Sequence, residues 1–166
     1  MSPEIEVILE DSRWRGHFDP EQLVTRVLNQ AIFHSNLDFS NKLYASILFC
    51  SDARIQELNL RWMNKDAPTN VLSFPASLDA PFPGGLYLGD IAIAYETVVS
   101  ESQLESKPLE DHAAHMLLHG LLHLLGFDHE DEEQAALMEN LESEILVAMG
   151  ISDPWADYRE TGSSNE

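Results

Sequence analysis

Five of the seven histidines fall within residues 112–129, and three of them stand in the run HGLLHLLGFDH, residues 119–129. This spacing constrains the chain more than any other feature. On a helix, His119 and His123 lie four residues apart, so both imidazoles project from one face, one turn apart. Gly126 lets the chain leave the helix, and three residues later His129 can fold back as a third ligand. Three neutral imidazoles with an open fourth position describe a catalytic zinc site rather than a closed structural one. Zinc in such a site lowers the pKa of a bound water to about 7. Imidazole also suits nickel, copper and iron. His115, four residues before His119, competes as a ligand, and His112 lies three residues before that; both could instead line the cleft or support the ligands. The turn at Gly126 favours His119, His123 and His129. Asp128 suits two roles, a hydrogen bond to a ligand imidazole or the cap of the last helix.

The ligand spacing HxxxHxxGxxH is that of the metzincins. In an HExxH protease the residue after the first histidine is the glutamate that acts as general base. Here it is Gly120, so peptide hydrolysis by that route is disfavoured. A single cysteine, Cys50, excludes an internal disulfide framework and every CxxC zinc site, and makes the cytosol the default compartment.

Charge bears on the substrate. Nine Lys and Arg face 29 Asp and Glu, for a net charge of −20. Residues 1–95 carry 7 basic and 12 acidic side chains, whereas residues 96–166 carry 2 and 17. A whole-surface basic footprint for nucleic acid is absent. A polyanionic substrate would need a local basic patch, for which Arg54, Arg61 and Lys65 are the candidates, or a metal ion. Acidity also serves solubility alone.

The 166 residues suit one domain. We expect that domain to span 1–157, followed by a frayed tail at 158–166. No run has the length of a membrane span, and the N-terminus lacks the features of a signal peptide. Residues 4–10 alternate as a strand. Asp19-Pro20 opens a helix with an apolar stripe from Leu23 to Ile32. Residues 43–50 are strand-like, and Ser51 or Asp52 caps a helix bearing Ile55, Leu58 and Trp62. After a loop at 64–70, residues 71–76 form a short strand. The Pro- and Gly-rich stretch 77–85 reads as an excursion, and 86–95 as another strand. Helices follow, one from Pro108 to about Leu125 and one ending at Gly150. Strands early and helices late point to α+β.

Beyond its spacing, HGLLHLLGFDH resembles the HGxLHLxGxDH signature of the YbeY family of metal-dependent endoribonucleases. LNLRWMNKDAPTNVLSFP (58–75), LGDIAIA (88–94) and DHAAHMLLHG (111–120) resemble further blocks of that family. The resemblance spans about residues 55–150. It implies a small single α+β domain, its mixed sheet covered by helices and its metal in a cleft. It implies one Zn2+ per chain on His119, His123 and His129. It also implies cleavage of single-stranded RNA in rRNA maturation, above all 16S 3′-end processing, and in ribosome quality control. The expected location is the bacterial cytoplasm, with ribosomal proteins and an rRNA-maturation GTPase as partners. The rival expectation is a ribosome-associated assembly factor with a mainly structural zinc and little nuclease activity.

The chain departs from the family pattern LNxxYRxxDxPTDVLSF at one position tied to catalysis. Met63 stands where the arginine falls, and Trp62 where the tyrosine falls. Arg61, two residues earlier, would face about 200° away on a helix; it replaces the arginine only if the helix ends early. Lys65, in the loop, is the other candidate cation, and His115 a candidate proton carrier. Ser73 and Phe74 could wall a groove for an extended RNA strand, and Asp90 could support the site. Trp62, Phe74, Phe82 and Tyr87 could stack on unpaired bases or belong to the core.

Overall fold

The computed structural model describes residues 4–35, 42–77, 84–128 and 130–156. Among these residues four strands form one sheet in the order β1-β2-β4-β3: β1 is Glu4–Leu9, β2 Lys42–Cys50, β3 Val71–Pro75 and β4 Gly85–Ala94. β1, β2 and β4 run parallel, and β3 pairs antiparallel with β4 at the edge. The sheet is mixed and the fold α+β, as expected. Among the described residues five α-helices accompany it: α1 Pro20–Ser35, α2 Asp52–Met63, α3 Tyr95–Leu104, α4 Leu109–Leu124 and α5 Glu132–Ala148.

Alternation along the strands divides the apolar side chains between two faces. Leu43, Ala45, Ile47 and Phe49 of β2 join α1, α4 and α5 in the main core. Their neighbours Leu48 and Cys50 belong to a smaller cluster with Ile55 and Leu58 of α2. α4 is the central helix, with ten of its sixteen residues buried. That burial explains its Leu- and Ala-rich sequence, since a helix enclosed on most sides keeps only a narrow polar face, here the one bearing the histidines. Alternation alone does not reveal a 3₁₀ turn at Ser12–Gly16, which sinks Trp14 completely into the core. The indole N–H donates to the Cys50 carbonyl at 3.1 Å, so its burial leaves no polar group unsatisfied.

Two glycines position the site. At Gly120 a Cβ would come within 3.0 Å of the Ser73 hydroxyl and 3.1 Å of Ile91. α4 therefore lies close on β3 and β4, with room for a Cβ only if Ser73 and Ile91 give way by a few tenths of an ångström. The position after His119 faces the sheet, so a protease-type glutamate there would collide with it. Gly126 has φ +101°. Around it Phe127 N–H donates to the Leu122 carbonyl at 2.9 Å and Gly126 N–H to the His123 carbonyl at 3.1 Å, the paired bonds of a Schellman ending.

The last helix starts later than a cap at Asp128 would require. Asp131 caps α5, its side chain accepting from Gln134 N–H at 2.8 Å. Asp128 is not that cap; it lines the groove described next.

Candidate metal centre

A groove of about 780 Å³ opens between the edge strand β3, the C-terminal half of α4 and the segment after α5. His115, His119 and His123 line it from α4, Ser73 and Pro75 from β3, and Trp155 from the far side. The Nε2 atoms of His119 and His123 lie 3.1 Å apart. The other nitrogen of each ring meets an acceptor. His119 Nδ1–H donates to Glu142 Oε1 at 2.7 Å, and His123 Nδ1–H to the Phe127 carbonyl at 3.1 Å. With both protons placed on Nδ1, the two Nε2 atoms present lone pairs toward each other. That arrangement is repulsive unless a cation, either a proton or a metal ion, lies between them. Two nitrogens bound to one tetrahedral zinc at about 2.0–2.1 Å stand about 3.3 Å apart, so the pair fits such an ion.

Local sequence builds this geometry. The i,i+4 spacing sets the two imidazoles edge to face on one side of α4, their ring centres 4.6 Å apart. The Schellman turn at Gly126 then returns the Phe127 carbonyl onto His123, which fixes that ring's tautomer. His129 lies outside the described residues. Among the described residues no further His, Cys, Asp or Glu joins the pair as a third ligand. His115 instead directs Nε2 toward Glu142 Oε2 at 3.5 Å.

Glu142 has no signal in the sequence, being one of many acidic residues on α5. It is 1% exposed. Burial alone would raise its pKa; the imidazoles of His115 and His119 outweigh that and hold it down at about 2. The carboxylate is thus an anion within the wall of the groove.

Other expected residues lie elsewhere. His112 is buried away from the groove, its Nε2 2.9 Å from Glu101 and its Nδ1 3.3 Å from Glu105. Asp90 sits on the opposite face of the sheet, where it accepts from the Tyr87 hydroxyl and faces a second groove beneath α2. It does not support the histidines. α2 continues unbroken through Met63, so the early helix end that would bring Arg61 into the arginine's place does not occur. Arg61 is exposed with its guanidinium 5.1 Å from the centre of the Trp62 ring, and Lys65 follows the Asn64 cap. Neither lines the histidine groove. Neither forms an ion pair among the described residues, whereas Arg13, Arg15, Arg26, Lys42, Arg54 and Lys107 each do. Trp62 and Phe74 line the second groove, and Phe82 lies outside the described residues.

Fold and site together define a small α+β protein with a paired-histidine cleft on its central helix. A sequence profile of Endoribonuclease YbeY matches residues 9–150. The chain is 43% identical over 157 residues to Endoribonuclease YbeY of Methylocella silvestris, covering 95% of this chain and 88% of that protein. It is 43% identical over 154 residues to that of Bartonella quintana, covering 92% and 97%. To that of Rhodopseudomonas palustris it is 42% identical over 160 residues, covering 95% of each. The fold is similar to the solution structure of TM1509 from Thermotoga maritima, with a TM-score of 0.55 at 20% identity over 98% of this chain and 97% of that one. The chain belongs to the YbeY family. Among the described residues no helix is long and apolar enough to cross a membrane.

Proposed function

We propose that this protein is a zinc-dependent endoribonuclease that cuts single-stranded RNA in rRNA maturation, chiefly at the 16S 3′ end, and in ribosome quality control. The observation that carries the metal reading is the facing pair of Nε2 atoms, each on a ring whose other nitrogen is already bound. The RNA reading rests on relatives named endoribonucleases that match nearly the whole chain. His119, His123 and His129 would hold one zinc ion. Bound there, zinc would supply Lewis acidity to a phosphoryl oxygen and lower the pKa of water.

The protein's own groups supply the rest. Glu142 and the Phe127 carbonyl hold the ligand rings. His115, on the groove wall, carries a proton to or from the reacting oxygens. Arg61 and Lys65 meet RNA phosphates beyond the groove, as the described cations without a carboxylate partner. Ribosomal proteins and an rRNA-maturation GTPase are the partners this role requires, in the bacterial cytoplasm.

A second reading keeps the fold and makes the protein an assembly factor on the ribosome with a structural zinc. The net charge of −20 and Met63 in the arginine's place favour it. One experiment separates the two. A single-stranded rRNA 3′-end fragment is incubated with zinc-loaded protein and with folded His123→Ala. Cleavage by the first and at least a 100-fold loss in the second, roughly what removal of a catalytic group costs, supports the nuclease. Absence of cleavage by both, with zinc bound to the unmodified protein, favours the assembly factor. A 2′,3′-cyclic phosphate end would identify the ribose hydroxyl as the nucleophile.

A further inference from the structure

Glu142 stands on α5, a helix that contributes no histidine to the groove, yet its two oxygens reach both walls. Oε1 accepts from His119 Nδ1–H at 2.7 Å. Oε2 accepts from the indole N–H of Trp155 at 3.1 Å and lies 3.5 Å from His115 Nε2. An ionised carboxylate can only accept, so its bond to His119 demands a proton on Nδ1, and in the neutral ring this makes Nε2 the acceptor nitrogen. Trp155 lies in a segment that is itself fastened. Asp153 Oδ1 accepts from the Ser143 hydroxyl at 2.7 Å and from Trp155 N–H at 2.9 Å. Ile151 N–H donates to the Leu146 carbonyl at 2.9 Å where α5 ends.

We propose that Glu142 is the positioning residue of the metal centre: it locks His119 in the ring orientation and tautomer that present Nε2 to the ion, and Trp155 holds Glu142 in place. This rests on the metal reading above. It gives the segment after α5 a role in the site, because losing the indole N–H frees the carboxylate that orients a ligand. A histidine ligand oriented by a carboxylate is a recurrent arrangement, and removing the carboxylate typically weakens metal binding about 10- to 100-fold.

The test uses the full chain, with zinc as the probe. Zinc dissociation constants are measured by chelator competition for the unmodified protein, Glu142→Ala, Glu142→Gln and Trp155→Phe. Histidine ring 15N shifts of the metal-free proteins report the tautomers. Glu142→Ala is expected to raise the zinc Kd about 10- to 100-fold and to remove the Nδ1–H preference of His119. Glu142→Gln is expected to fall between, because one amide oxygen cannot serve both His119 and Trp155. Trp155→Phe leaves every ligand in place and should raise the Kd less than Glu142→Ala. If Glu142→Ala does not fold, the Gln and Phe variants decide the matter. Variants that bind zinc as the unmodified protein does, with His119 unchanged in tautomer, overturn the proposal. An unmodified protein that binds no zinc overturns the metal reading itself and the role of Glu142 with it.

Discussion

At the scale of single residues, Gly126 and Cys50 carry opposite lessons. Gly126 reads from the sequence as the turn that ends the histidine helix, and its φ of +101° also brings the Phe127 carbonyl to His123. Gly126→Ala would place a Cβ in a backbone region that side chains avoid, at about 1–2 kcal/mol. A lower thermal midpoint together with weaker zinc binding is the expected result; a lower midpoint with unchanged zinc binding would detach Gly126 from the site. Cys50, the single cysteine, is inert. It is fully buried, and burial pushes its thiol up to about 12. In the native protein it should stay unmodified by a thiol reagent at pH 8 and react at once in urea. The folded pKa lies above the unfolded value of about 8.5. Its contribution to stability is therefore complete below pH 8.5 and is lost as pH rises toward 12. Replacing Cys50 with Ala should flatten that alkaline decline in urea-unfolding curves.

Among the elements, α2 and α4 differ in what their sequences disclose. The histidine register of α4 follows from the 3.6-residue period alone. Its closeness to the sheet does not, because it depends on Ser73 and Ile91 lying opposite Gly120, which is a matter of register between distant segments. An early end to α2 is compatible with its sequence, and the intact helix through Met63 overturns it. Asn64 takes the left-handed cap with φ 58°, and Lys65 N–H returns to the Asn59 carbonyl at 3.1 Å, so the helix closes one turn after Arg61. Arg61 thereby lies in its last turn over the exposed Trp62, and Lys65 follows the cap. In RNA titrations over a range of salt, a double Ala variant at Arg61 and Lys65 should lose about 0.7 from the log–log salt slope for each phosphate contact removed. An unchanged slope would take both cations off the RNA path.

For the whole molecule, the sum of charges opposes the proposed substrate. A protein of net charge −20 repels RNA at long range. Shortening the Debye length from about 30 Å to about 10 Å, between roughly 0.01 and 0.1 M salt, should accelerate association with a single-stranded oligonucleotide. Most nucleic-acid-binding proteins show the opposite trend. Stopped-flow rates that fall over this range would mean that a basic surface dominates the encounter. The mixed sheet shows the limit of strand order as a guide. Early strands and late helices point to α+β, but the parallel pairing of β1, β2 and β4 comes from the crossover segments that return the chain to the same end of the sheet.

Short-range sequence is enough for the Leu-rich central helix, the spacing of His119 and His123 along it, the glycine that ends it and the alternation of the strands. All are local periodicities or conformational preferences of neighbouring residues. The tertiary structure alone decided that Glu142, 23 residues from His119, supplies its hydrogen-bond partner. It also decided that Asp90 faces away and that Trp155 closes the groove. Such pairings arise from the packing of α5 and its following segment against α4, and no short-range pattern encodes them, because one acidic residue on an acidic helix looks like any other until the fold buries it.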